Sequence, residues 1–80
     1  MLTLNANTLY SKMLMVNSHT KTVKELHKVK SAMFSMEGTI DQEQLGYLKT
    51  RLVALGIKTE EDEDSYFAHM EHCIVKIYKQ

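Results

Sequence analysis

No proline interrupts the 80 residues, and only three glycines, Gly38, Gly46 and Gly56, are available to turn the backbone freely. All-β domains depend on frequent Gly and Pro turns, because strands must reverse every few residues. A chain with so few breakers is expected to run in long continuous elements. Apolar residues recur here every three or four positions, which makes those elements helices. The expected fold is all-α: a small antiparallel bundle of three to four helices, forming one helical domain over residues 1–80.

The helix boundaries follow from local grammar. Residues 6–18 read as a first helix, capped by Asn5 or Asn7, with Leu9, Met13 and Val16 on one stripe. Asn17, Ser18, His19 and Thr20 are weak helix formers in a row. They suggest a break, with a bent continuous helix as the alternative. A second helix is expected over 21–36. Thr22 and Glu25 have capping-box spacing, Val23, Leu26, Met33 and Met36 supply a stripe, and Gly38 stands at the C-cap. The third, 42–55, has Asp41 as cap with Gln44 three residues on, then Leu45, Leu48, Leu52 and Leu55, and Gly56 at its end. Gly46 inside it costs about 1 kcal/mol relative to Ala, which suggests close approach of another helix. A fourth helix is expected over 61–79. The acidic run from Glu60 to Asp64 would complement the positive end of its dipole, and Lys76 and Lys79 the negative end. Tyr66, Phe67, Met70, Cys73, Ile74, Ile77 and Tyr78 would form its apolar face.

A chain of this length supplies a thin core, worth about 3–5 kcal/mol net. Cys73 is the single cysteine, so no internal disulfide can add to it. The remaining means of stabilisation are helix packing, a metal or a second subunit. No run approaches the roughly 20 apolar residues of a membrane span. With no signal-like segment at the start, the expectation is a cytoplasmic protein without membrane contact. Net charge is zero, but residues 1–40 carry five lysines against two acids, and residues 41–80 carry five basic residues against eight acids. Bulk affinity for nucleic acid is therefore not favoured, while charged surfaces of both signs are allowed.

Few residues suggest chemistry. His69, His72 and Cys73 would share part of one helix face at spacings of three and four, and such ligands suit zinc or copper. Two or three ligands do not complete a site, and Cys73 on an apolar stripe reads equally well as a small buried hydrophobe. No phosphate loop, zinc-protease motif or framed carboxylate pair is present, so neither an enzyme nor a cofactor is expected. Lys21, Lys24 and Lys28 form a basic face that, with Arg51, could grip phosphates, although a solvated face is the simpler reading. The run Gly38-Thr39-Ile40-Asp41-Gln42-Glu43-Gln44-Leu45-Gly46 resembles the second half of an EF-hand loop and its exiting helix, as in calmodulin-like proteins. That alignment puts Met33, Ser35 and Glu37 at the first three ligand positions and Gln44 in place of the bidentate Glu. Met33 cannot ligate calcium, so the resemblance implies no calcium site.

Six methionines are many for 80 residues, and Met-rich faces suit adaptable partner binding. The leading functional expectation is a small regulatory protein, an adaptor or inhibitor of the bacterial or phage type, that binds another protein and pairs with itself as a homodimer. Tyr10, Met15, Lys21, Lys24, Lys28 and Tyr78 are the candidate contact residues. The alternatives are a nucleic-acid-binding transcriptional regulator using the lysine face, and a metal-binding module using the His/Cys cluster.

Overall fold

The computed structural model describes residues 3–27 and 32–80, so Lys28 of the lysine face lies outside the described residues. Six elements follow one another: α1 (Ala6–His27), β1 (Met33–Ile40), α2 (Gln42–Ala54), β2 (Lys58–Glu61), β3 (Ser65–His69) and β4 (Ile74–Lys79). The strands form one mixed sheet in the order β1-β4-β3-β2. β1 runs parallel to β4, and the β4–β3 and β3–β2 pairs are antiparallel. The chain is thus a two-layer α/β fold and not the all-α bundle expected from its periodicity.

α2 forms where the sequence places it. Asp41 is the N-cap, its Oδ1 accepting from the Gln44 backbone N–H at 2.8 Å. At the other end Gly56 adopts φ 75°, the Gly56 N–H donates to Val53 O and the Ile57 N–H to Leu52 O, both at 3.0 Å. That pair of bonds is a Schellman C-cap, which needs a left-handed residue at the Gly56 position. Gln44 departs from the capping box: its Oε1 accepts from the Ala6 N–H at 2.8 Å and so ties α2 to the start of α1. Gly46 is exposed, and a Cβ built on it would meet nothing within 4 Å. The expected close helix approach at this glycine is therefore absent.

α1 runs unbroken through Asn17–Thr20, and no new helix starts at Thr22. The weak helix formers have found bonds that keep them helical: Thr20 is buried and its hydroxyl donates to Val16 O at 2.7 Å, while Asn17 Oδ1 accepts from the His72 N–H at 2.8 Å. Thr22, expected as a cap, donates to Ser18 O at 3.4 Å from mid-helix. Asn5 is the true cap, accepting from the N–H groups of Asn7 and Thr8.

Of the expected helix over 21–36, the described residues through His27 belong to α1, and Met33–Ile40 is a strand. Gly38, expected as a helix C-cap, has φ 100° inside β1. It sits where the β1–β4 register slips: Ser35 pairs with Lys76 but Thr39 with Tyr78. Three residues of β1, Met36 to Gly38, thus lie opposite the single Ile77 of β4, a bulge that a glycine with positive φ accommodates.

The expected helix over 61–79 is instead the β3–β4 hairpin. Its inward positions, Tyr66 and Ala68, then Val75 and Ile77, alternate and are buried. Aromatic and β-branched residues favour such a pleated, packed surface. Two short alternating runs also satisfy a spacing of three and four, which is why they pass for a helix face. The acidic run is not a helix start. Its first two residues close β2, and Asp62 Oδ1 accepts from the Asp64 and Ser65 N–H groups at 2.9 and 2.8 Å. An aspartate turning the chain in this way does the work expected of Gly or Pro. The scarcity of breakers was therefore no bar to a sheet.

The helices lie side by side on one face of the sheet. Leu9 and Met13 of α1 and Leu45, Leu48 and Leu52 of α2 meet Ile40, Tyr66, Ala68, Val75 and Ile77 in a single core. Among the described residues, no helix is long and apolar enough to cross a membrane.

Candidate functional site

Where the start of α1 meets the outer side of α2, the helices leave an open groove of about 770 Å³. Asn5, Asn7 and Tyr10 line it from the α1 side, and Gln44, Tyr47, Thr50, Arg51 and Leu55 from α2. The α2 residues arise from helical repeat: with Leu45, Leu48 and Leu52 turned to the core, Gln44, Tyr47, Arg51 and Leu55 form the adjoining stripe. The Arg51 guanidinium lies over the Tyr10 ring, Cζ 4.9 Å from its centroid. That cation–π contact spans the two helices and brings the two side chains together. Tyr47 is exposed, and its hydroxyl lies 3.4 Å from Glu43 Oε1. Among the described residues lining the groove, Arg51 is the only charged one.

A second surface is the sheet face turned away from the helices. It presents Met33, Ile74, Lys76, Tyr78, Phe67 and His69, in register across β1, β4 and β3. Met33 is 58 % and Tyr78 40 % exposed. Lys76 Nζ lies 5.0 Å from the Tyr78 ring centroid and 5.7 Å from that of Phe67, so its stem covers part of this platform.

The five described residues among the six expected to make contact do not converge, Lys28 lying outside the described residues. Tyr10 is in the groove, Tyr78 is on the opposite side of the molecule's sheet layer, and Met15 is exposed on α1. Lys21 is exposed, and Lys24 lines a small apolar pocket of about 200 Å³ with His19, Thr20, Val23, Ala32 and Phe34. Arg51, which sequence reasoning grouped with those lysines as a phosphate contact, is the residue that meets Tyr10. Sequence reasoning missed Tyr47, Asn5 and Gln44 as site residues. The only available signal was the i, i+4, i+8 series Tyr47, Arg51, Leu55 beside the buried leucine line of α2.

The His/Cys cluster also separates once its helix is replaced by a hairpin. His69 lies on the outward side of β3, its Nε2 buried without a hydrogen bond although Glu60 Oε2 is 3.3 Å away. His72 lies in the β3–β4 loop with Nε2 3.8 Å from Glu71. Cys73 is buried in the core, and burial pushes its thiol pKa up from the ordinary 9.0. Among the described residues no three His, Cys, Asp or Glu side chains are placed to hold a metal ion. On the far edge of the sheet, Lys49 and Lys79 flank Glu61, and their ammonium groups, Lys49 first, hold its carboxyl below the usual range.

Comparison of the chain with protein-family models, with curated proteins and with solved structures finds no match.

Proposed function

We propose that this chain is a small, non-enzymatic regulatory protein that binds and modulates another protein, and that the groove between α1 and α2 is its docking site. The observation carrying this reading is the Arg51–Tyr10 stack with Tyr47 beside it in a concave surface. Tyrosine and arginine dominate binding energy at protein interfaces, most of all when they surround a depression that partner side chains can fill. Holding Arg51 on Tyr10 before binding also reduces the conformational entropy lost on association. The test is capture of a partner from extract of the source cells by tagged protein, compared with Tyr47→Ala and Arg51→Ala. A partner retained by the parent and lost from both variants supports the reading. A capture profile unchanged by both overturns it.

A second reading concerns the sheet face. Met33, Phe67, Ile74 and Tyr78 form an apolar surface of the kind two copies bury against each other, which favours a homodimer. Sedimentation at 10–100 μM, roughly the range where weak homodimers form, checks it. A dimer converted to monomer by Ile74→Lys supports the reading, and a monomer throughout that range removes it.

A further inference from the structure

Among the described residues the groove carries charge of one sign only, that of Arg51. Three carboxamides line it, Asn5, Asn7 and Gln44, and two have their oxygens engaged: Asn5 Oδ1 accepts from the Asn7 N–H at 3.0 Å, and Gln44 Oε1 from the Ala6 N–H at 2.8 Å. Because a backbone N–H requires an acceptor, this fixes which way the Asn5 and Gln44 amides point. The free end of each side chain is therefore its NH₂ group, a donor. The Thr50 hydroxyl gives its proton to Gly46 O at 3.0 Å and so leaves the groove an acceptor at that position. Arg51 adds a guanidinium with no carboxylate partner among the described residues. The nearest acid along the stripe, Glu43, does not line the groove. A single positive charge and the two unused amide donors of Asn5 and Gln44 thus belong to the lining of a depression walled by Tyr10, Tyr47 and Leu55.

We infer that the groove takes an acidic, apolar-flanked segment of the partner protein, with one Asp or Glu carboxylate on Arg51 and the NH₂ groups of Asn5 and Gln44. This rests on the proposed docking reading and names the chemistry of its partner. A planar carboxylate accepts two parallel bonds from a guanidinium, and amide donors complete its remaining lone pairs. Leucine-like neighbours on the segment would lie against Tyr47 and Leu55. A nucleic-acid strand fits less well: it brings a phosphate at every step and wants a track of cations, whereas this groove offers one.

The probe is the peptide acetyl-Leu-Glu-Leu-Glu-Leu-amide, titrated into ¹⁵N-labelled full-length protein and followed by amide shifts. Its glutamine isostere and a ten-nucleotide oligothymidine are run beside it. The expected result is saturable shifts in residues 5–10 and 47–55. The glutamate peptide should bind at least fivefold more tightly than the isostere, and Arg51→Gln should remove that preference while its spectrum stays dispersed. Equal binding of both peptides in the groove overturns the acidic assignment and leaves the protein-docking reading intact. Preferential saturation of the groove by oligothymidine overturns both. Shifts that grow with protein concentration alone and include residues 60–64 assign the groove to a second copy's acidic turn, which also overturns it. No saturable shift with either peptide does so too, and the docking reading then stands or falls on the capture experiment.

Discussion

Gly46 stands on the solvent side of α2 with room for a methyl group, so the only effect of adding one is on the backbone. Gly46→Ala is expected to stabilise the fold by about 1 kcal/mol, a rise of about 4–8 °C in Tm for a domain of this size. Gly56 is the opposite case. Its φ of 75° closes the C-cap, and Gly56→Ala is expected to cost about 1–2 kcal/mol in the same thermal unfolding experiment. Cys73 tests the core by pH. Its raised pKa means that the folded thiol keeps its proton where an unfolded one has lost it. Its contribution to stability is therefore complete below the ordinary thiol value of 9.0 and is lost as pH rises through the folded value. Urea midpoints from pH 8 upward should fall in the parent and fall less in Cys73→Ala, and Ellman's reagent should react slowly with the native protein.

At the scale of the element, α2 was legible because both of its ends carry signals that act locally. Asp41 satisfies an N–H three residues away, and Gly56 a carbonyl within the last turn. Asp41→Ala is accordingly expected to cost about 1 kcal/mol in chemical denaturation. The continuity of α1 was not legible. What holds Asn17–Thr20 helical includes a bond to His72, 55 positions away. The strands failed to show for a related reason. β3 and β4 offer only two buried inward positions each, too few for a period of two to stand out from one of three to four. Their turns are made by Asp62 and by a contact with α1 instead of by glycine or proline. The groove was half legible: Tyr10 and Arg51 each carry a sequence signal, the one as a contact residue and the other as a phosphate-gripping cation. Their meeting depends on how α1 and α2 pack, which no local pattern records.

For the whole molecule, the two layers share one small core, and Leu48 lies in it at 1 % exposure. Leu48→Ala is expected to cost about 2–5 kcal/mol. That is comparable with the roughly 3–5 kcal/mol a core of this size supplies, so the variant should be largely unfolded at 25 °C by circular dichroism. The order of strands along the chain has a kinetic consequence. β4 is made last of the four, yet it sits between β1 and β3 and is, among the described strands, the one β1 pairs with. Until residues 74–79 are in place, β1 has only the bridge from Thr3 to Thr39 beside it, and the leucines of α2 have no complete floor beneath them. A nascent or clipped chain lacking that strand would hold its apolar surface open to chaperones and proteases, so assembly is expected to be all-or-none and slow for so short a polypeptide.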